Sequence, residues 1–330
     1  MVDSHKKQKR NYFWWVFAVF VIGVVVVVVL NWRWIYDWGR GIGYVPTSEM
    51  ATIKNKLGLT DEGEFLFRSA RPVLNEAEEF NLNCRKDNDE VAVLGCYKNG
   101  NIYIYNIEEK ELDGIRELTT AHELLHAVWD RMSEEEKIEY VPALTKVFEE
   151  NQELLEDEIN TYDISEKQEE LYVRAGTEIK ILPDILEKHY GRIFNNQDKI
   201  VDFYESYIKV FREMKENTER LTTEISDLKI EIDAKMAEYE AEALRLNRDV
   251  EDFNNCANTA GCFNSESEFY SMRNQLLNRL ELANILNNEI DALINEYNSK
   301  VDEYNADITR SRKLENMINS SSILELDNLE

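Results

Sequence analysis

The sequence predicts an α+β protein that combines an N-terminal transmembrane helix, a small mixed domain and a long antiparallel α-helical coiled-coil hairpin. Three observations predict this. Residues 13–30 form an uninterrupted apolar run. Short alternating and capped segments fill residues 40–195, which hold all four prolines of the chain. From about residue 197 the chain has no proline and a regular 3-4 apolar spacing, which is typical of a coiled coil.

The apolar run is 18 residues long, enough for a helix to span a bilayer. Lys6, Lys7, Lys9 and Arg10 precede the run, and aromatic residues flank both of its ends. The positive-inside rule then makes residues 1–11 a cytoplasmic tail and places the rest of the chain outside the cell membrane. Because no small-x-small cleavage site follows the run, we expect an uncleaved single-pass signal anchor over residues 12–32 rather than a removable signal peptide.

Charge and cysteine content add two expectations. The chain has 65 acidic and 38 basic residues, and this strongly negative charge disfavours nucleic acid as a partner. The four cysteines form two local pairs, Cys84 with Cys96 and Cys256 with Cys262. In an extracytoplasmic chain such pairs predict two disulfide bonds, the alternative being four reduced thiols.

The first part of the domain at residues 40–195 is expected to contain two helices and three strands before the central motif. A short helix over residues 47–59 has Thr47 or Ser48 as its cap. An Asn99-Gly100 turn predicts a β-hairpin. The remaining expected elements are a strand at Glu64–Ala70, a helix near 75–81, and the two hairpin strands at Val91–Cys96 and Asn101–Tyr105.

The central motif is H-E-x-x-H, formed by His122, Glu123 and His126. The motif helix is expected to begin near residue 117, with Thr119 or Thr120 as its cap, or already at Leu112. In either case both histidines lie on one face of the helix, one turn apart. Two imidazoles so placed can reach one zinc ion, and Glu123 beside them can act as the general base for a water molecule. The alternative is two surface histidines on an amphipathic helix.

Two further helices follow the motif, each with a capping box. The first, over residues 134–157, has Ser133 as its cap and is kinked or restarted by Pro142. The second starts at Ser165 and extends to about Leu182. Asp130 either accepts a hydrogen bond from a ligand histidine or is a solvated carboxylate near the end of the motif helix.

With its small sheet before an H-E-x-x-H helix, residues 60–195 resemble the zincin metallopeptidases. The resemblance implies a zinc-dependent peptidase whose edge strand binds extended peptide by strand addition. Since no third histidine follows in the H-E-x-x-H-x-x-G-x-x-H pattern, the resemblance is closest to the gluzincins, in which a downstream glutamate is the third ligand. Glu170-Leu171-Tyr172 matches the start of the gluzincin pattern, whereas Val173 departs from its small residue.

The resemblance therefore favours Glu170 as the third zinc ligand. Glu178 lies at the edge of an apolar stripe and stays open as a ligand or as a group behind the ligands, while Glu166 and Glu169 are interpreted as solvated. His189 and Tyr190 are the candidates for a hydrogen-bond donor to the transition state, with a surface pair as the alternative.

The coiled-coil hairpin is expected over residues 196–316, followed by a C-terminal tail at 317–330. A turn at residues 254–262 joins two helices of roughly 75 Å, and Ser265 caps the second. The seam is predicted to contain a stutter between Ile232 and Met236 and a polar core position at Asn287. Such a hairpin serves homodimerisation, acts as a spacer, or captures a protein partner.

Together these patterns predict a membrane-anchored, extracytoplasmic zinc endopeptidase that acts on a protein or peptide substrate. Glu123 would be its general base. The principal alternative is a non-catalytic adhesion or scaffold protein in which the hairpin is the functional part. A cytoplasmic helical scaffold is the third, and it requires inverted topology and reduced cysteines.

Overall fold

The computed structural model describes residues 3–84, 93–160, 162 and 164–319. The chain is mostly helical and divides into two compact units. The first extends to Val210 and also takes in the residues from Glu315 onward; the second is Phe211–Leu314.

Two helices begin the chain, α1 at Asp3–Leu30 and α2 at Trp32–Ile42. Within the described ranges no single helix meets the length and composition expected of a membrane span. The segments Trp14–Leu30 and Trp32–Ile42 meet them only as a pair, with a bend of 70° between them. The signal anchor at residues 12–32 stays a prediction.

The next two helices are α3 at Ser48–Leu57, capped by Thr47, one of its two predicted caps, and α4 at Asp61–Ala70, capped by Thr60. The expected strand at Glu64–Ala70 is therefore wrong. The Thr60 side chain accepts the Gly63 N–H, and the first turn of α4 is acidic, which favours a helix start. Leu66, Phe67 and Ala70 are buried on one helical face, so the apparent alternation was a fragment of a 3-4 pattern.

The sheet found in the described ranges consists of β1 at Val73–Asn75, β2 at Gly95–Lys98 and β3 at Asn101–Tyr105, in the order β1-β3-β2. β2 and β3 form the predicted hairpin, and both Asn99 and Gly100 have positive φ, as a two-residue turn requires. β1 pairs in parallel with β3 and was not predicted. Val91 and Ala92 of the expected first hairpin strand lie outside the described residues.

Helix α5 at Ala77–Cys84 follows β1, and its last residue, Cys84, forms the predicted disulfide with Cys96 in β2. The motif helix α6 extends over Ile115–Trp129 after a short 3₁₀ helix at Lys110–Leu112. Thr119 and Thr120 are not its caps. Gly114 precedes the helix with a φ of 97°, a conformation that favours glycine, and the two threonines instead donate hydrogen bonds to carbonyls within α6.

Four more helices complete the first unit up to Tyr190: α7 at Glu134–Glu150, α8 at Gln152–Ile159, α9 at Ile164–Glu178 and α10 at Asp184–Tyr190. The capping box of Ser133 and Glu136 is confirmed. Pro142 lies inside α7 without ending it, and the restart occurs at Asn151 instead. Helix α9 begins one residue before Ser165, which is thus not its cap, and it ends at Glu178 rather than near Leu182.

The last two helices are α11 at Asp198–Ala257 and α12 at Glu266–Ile318, and their parts within Phe211–Leu314 belong to the second unit. They are antiparallel, since Lys235 pairs with Glu289 while Glu242 pairs with the earlier Arg279. Ser265 caps α12, and Cys256 and Cys262 form the predicted disulfide in the turn.

The predicted stutter in the seam is wrong. Met236 is 41% exposed, and Leu280, expected in the opposite seam, is 48% exposed. The partly buried positions are taken by Lys235 and Arg279, which form ion pairs across the hairpin. The 3-4 spacing therefore continues without a break through charged residues, whose long apolar stems pack along the seam.

Candidate metal and catalytic site

The motif helix α6 lies at the centre of the core of the first unit. Ala121, Leu124, Leu125 and Ala127 are fully buried. Helix α9 packs closely against α6. At the contact, a Cβ atom added to Gly176 of α9 would lie only 2.5 Å from Leu125 Cδ1 of α6, so the glycine permits the close approach. This contact brings the glutamates of α9 to the histidine face of α6.

His122, His126 and Glu170 converge on one point. Glu170 Oε1 lies 3.7 Å from His122 Nε2, and Glu170 Oε2 lies 3.6 Å from His126 Nε2. One ligand atom from each residue lies within 4.8 Å of the other two. Burial, together with the positive charges of His126 and Arg174, holds the pKa of His122 well below its usual value, so its imidazole is neutral as a metal ligand must be.

These donors fit a zinc ion. Nitrogen and oxygen ligands of tetrahedral zinc, at about 2.0–2.2 Å from the metal, stand about 3.3–3.6 Å apart. The two measured distances between Glu170 and the histidines are close to that spacing. Two imidazoles and one carboxylate are also the donor set of a catalytic rather than a structural zinc site, since a fourth position stays open.

Glu169 contacts the His126 ring at Nδ1, on the side opposite the nitrogen that faces Glu170. Its Oε1 lies 2.7 Å from His126 Nδ1, which leaves Nε2 directed towards Glu170. The sequence analysis interpreted Glu169 as solvated. No sequence pattern indicated this role, because its partner His126 lies on another helix, 43 residues earlier.

Glu123 belongs to α6 and is 6% exposed, and its side chain lies between that helix and the edge strand β2. A side chain at Gly95 would lie 2.8 Å from Glu123 Cγ, so the glycine permits this close approach. The Tyr97 N–H donates to the Glu123 carboxylate. Burial raises the pKa of Glu123 to about 7, although His126 and the Tyr97 N–H oppose that rise. A carboxylate tuned near neutrality suits a general base.

Glu178 does not join the histidine group. Arg174 separates the two candidate glutamates, donating from Nε to Glu170 Oε1 at 2.7 Å and from Nη1 to Glu178 Oε1 at 3.0 Å. Burial raises the pKa of Glu170 to about 7, and burial likewise raises the pKa of Glu178. Of the two alternatives left open above, the structure brings Glu170 to the histidines and leaves Glu178 behind Arg174.

Tyr162 is a site residue that the sequence analysis missed. Its hydroxyl hydrogen-bonds the Glu170 carboxylate. Burial and the negative charges of Glu170 and Glu123 raise the pKa of Tyr162 above its usual value, so the hydroxyl keeps its proton. Because Tyr162 lies just before α9, outside any periodic segment, no sequence pattern connects it to the motif.

His189 and Tyr190 are placed elsewhere. His189 is hydrogen-bonded through Nδ1 to the Tyr140 hydroxyl at 3.0 Å and through Nε2 to the Tyr172 hydroxyl at 2.8 Å. Tyr190 is fully buried and donates to the Tyr172 carbonyl at 2.6 Å. Both belong to a buried aromatic cluster, rather than to the surface pair considered as their alternative, and their polar atoms are engaged within it.

Of the two alternatives for Asp130, the structure shows the exposed carboxylate at the end of α6, with 52% of its side chain accessible. It accepts hydrogen bonds from Arg33 Nη2 at 2.9 Å and from the Tyr97 hydroxyl at 3.0 Å. It therefore connects α2 and β2 to the end of α6 and does not orient a histidine.

Comparison with family models, curated proteins and solved structures found no match for this chain.

Proposed function

We propose that the protein is a membrane-anchored, extracytoplasmic zinc-dependent endopeptidase. The observation that carries the proposal is the convergence of His122, His126 and Glu170 on one point, with Glu123 buried next to them. The two histidines belong to α6 and Glu170 belongs to α9, which begins 35 positions after α6 ends, so their meeting is a product of the fold. It supplies the third ligand that the H-E-x-x-H motif alone lacks.

In this proposal His122, His126 and Glu170 hold the zinc ion, and Glu169 keeps His126 in the tautomer that directs Nε2 to the metal. Zinc would supply a Lewis acid that activates water and polarises the peptide carbonyl. Glu123, with its pKa near 7, accepts the proton of the attacking water and passes it to the leaving amine.

Tyr162 takes the role first assigned to His189 or Tyr190. Its protonated hydroxyl is hydrogen-bonded to the carboxylate of Glu170, which also lies next to the two histidines. The hydroxyl donates its one proton to Glu170; when Glu170 is engaged with the metal, the hydroxyl would turn that proton towards the oxygen on which negative charge develops. His189 and Tyr190 are reassigned to the packing of the aromatic cluster.

The edge position of β2 supports an extended peptide as the substrate. β2 pairs with β3 on one side and contacts α6 beside Glu123 on the other. The Leu94 carbonyl accepts the Tyr105 N–H, so in the alternating antiparallel pattern Gly95 and Tyr97 direct their backbone groups away from β3. The Tyr97 N–H donates a hydrogen bond to Glu123. The backbone N–H and carbonyl of Gly95 face the same edge of the sheet, where an added strand would pair.

The proposed location outside the cell membrane is supported by the basic cluster that precedes the apolar run and by the two disulfides.

The test is cleavage of an unfolded protein such as casein by the purified full chain. We expect Glu123→Gln to lower cleavage by at least about 10²-fold while zinc content is unchanged. Glu166→Gln, an exposed carboxylate at the start of α9, is the matched control and should keep full activity. Equal cleavage by Glu123→Gln and the unaltered chain would overturn the proposal.

A further inference from the structure

Helix α2 presents an uncharged aromatic face to the surroundings. Its exposed apolar and aromatic side chains are between 39% and 61% accessible; they are Trp32, Trp34, Ile35, Tyr36, Trp38 and Ile42. The rings of Trp34 and Trp38 are nearly parallel, with an interplanar angle of 11°. A contiguous surface of this kind marks a site of interaction.

The charged residues of α2 all bond to the folded domain. Arg33 pairs with Asp130 at 2.9 Å, and Asp37, which is 5% exposed, pairs with Arg131 at 2.8 Å. Arg40 donates to the Ser69 carbonyl at 3.0 Å and to the Gly100 carbonyl at 2.8 Å. Helix α2 is thus a fixed part of the domain rather than a linker, and its outer face is left without charge.

The chain itself indicates what covers this face. The residues directly before it, Trp14–Leu30, are apolar and exposed along their whole length. Trp and Tyr prefer the interface between lipid tails and water, where one part of the ring is apolar and the other is wet. The bend of 70° after Leu30 turns α2 away from the direction of α1, as a helix in the plane of that interface requires.

We propose that α2 lies in the plane of the bilayer interface, with its aromatic face in lipid, and that it holds the domain against the membrane surface. The proposal rests on the membrane anchoring in the proposed function. Asp130, bonded to Arg33 of α2, is four residues beyond His126, about 6 Å along α6. The zinc site is therefore held close to lipid, and peptide segments next to the membrane become its accessible substrates.

The orientation makes a measurable difference in depth. If α2 continued upright from α1, Ile42 would stand about 15 Å farther from the bilayer centre than Trp32, from the rise of ten residues. If α2 lies flat, Trp32, Trp38 and Ile42 share one depth.

The experiment uses the full chain in lipid nanodiscs that hold one chain each, so that a second copy cannot cover the face. A phospholipid with a photoreactive diazirine next to its headgroup is the probe, and labelled residues are mapped by mass spectrometry. We expect labels on α1 and along α2 as far as Ile42. Ile181, an exposed side chain away from α2, should be unlabelled.

Labels that cover α1 but extend along α2 no farther than Trp34 would overturn the interfacial position of α2 and leave the membrane anchor intact. Absence of labels from α1 as well would overturn the anchor, while zinc content and casein cleavage on the same sample test the peptidase separately. In the matched variants, Ile42→Glu should weaken labelling of Trp38 several-fold and Ile181→Glu should not. Equal labelling of Ile181 and Ile42 would also contradict the proposal.

Discussion

The Nδ1 atom of His126 lies 2.7 Å from the Oε1 atom of Glu169, the residue directly before the proposed ligand Glu170. Helix α9 thus contributes two successive carboxylates with different roles. Glu170 faces the Nε2 atoms of both histidines, while Glu169 reaches the far side of one ring. Although burial opposes it, the hydrogen bond that His126 donates to Glu169 and the negative charges of the nearby carboxylates raise the pKa of His126.

Removing the Glu169 charge should weaken zinc binding without abolishing it. We expect Glu169→Gln to lower zinc affinity by about 10–100-fold, because His126 loses the partner that fixes its ring and increases its basicity. Competition titration with a chelator measures the change. Glu166→Gln, on the same helix but exposed, should bind zinc like the unaltered chain. An unchanged affinity for Glu169→Gln would remove Glu169 from the site.

The Tyr162 hydroxyl should matter for the reaction and not for the metal. We expect Tyr162→Phe to lower kcat by about 10²-fold, the usual effect of losing one donor to a developing negative charge, with zinc content and KM nearly unchanged. Tyr103→Phe, a change of a half-buried hydroxyl on β3, is the control. Full kcat in Tyr162→Phe would show that the donor is another group.

His189 should make stability depend on pH. Burial lowers its pKa from 6.5 to about 4. Below pH 6.5 the unfolded state therefore binds a proton at His189 that the folded state does not bind. The free energy of unfolding is at its full value above pH 6.5 and decreases as the pH falls towards 4. Between pH 7 and pH 4.5 the loss is about 2–3 kcal/mol.

Urea unfolding of the full chain and of His189→Gln at both pH values isolates the effect, since other groups cancel in the difference. The unaltered chain should lose about 2–3 kcal/mol more than the variant on acidification. An equal loss in both chains would contradict the neutral, buried His189.

The buried ion pair of Asp37 and Arg131 should stabilise the attachment of α2. Their side chains are 7% and 12% exposed, so Asp37→Ala leaves an uncompensated buried charge and should cost about 3–5 kcal/mol. Adding Arg131→Met should restore much of that loss. The exposed pair of Arg192 and Glu62 is the contrast, because Glu62→Gln should cost about 0–1 kcal/mol. Urea unfolding measures all four chains, and a small cost for Asp37→Ala would contradict the attachment.

Local chemistry predicted several elements correctly. The Asn99-Gly100 turn fixed the hairpin, Ser133 and Ser265 fixed two helix starts, and the cysteine spacing fixed both disulfides. In each case the decisive interaction joins residues close in the chain. The short strand β1 could not be predicted, because its three residues are extended only through pairing with the distant β3.

The site shows the same division. The sequence motif indicated His122, Glu123 and His126 as a unit, since one helix turn relates them. Glu169, Tyr162 and the choice between Glu170 and Glu178 depend on how α9 packs against α6, which no local pattern contains. The seam of the hairpin failed for a different reason, because Lys235 and Arg279 occupy positions where only apolar residues were expected.

Zinc content tests the central claim most directly. The full chain is purified without chelator, incubated with excess zinc, freed of unbound metal, and measured by elemental analysis beside Glu170→Gln and Glu178→Gln. If His122, His126 and Glu170 hold the metal, we expect one zinc per chain in the unaltered protein and in Glu178→Gln, and a near-complete loss in Glu170→Gln. A zinc-free unaltered protein, or loss of zinc in Glu178→Gln with retention in Glu170→Gln, would contradict this ligand set.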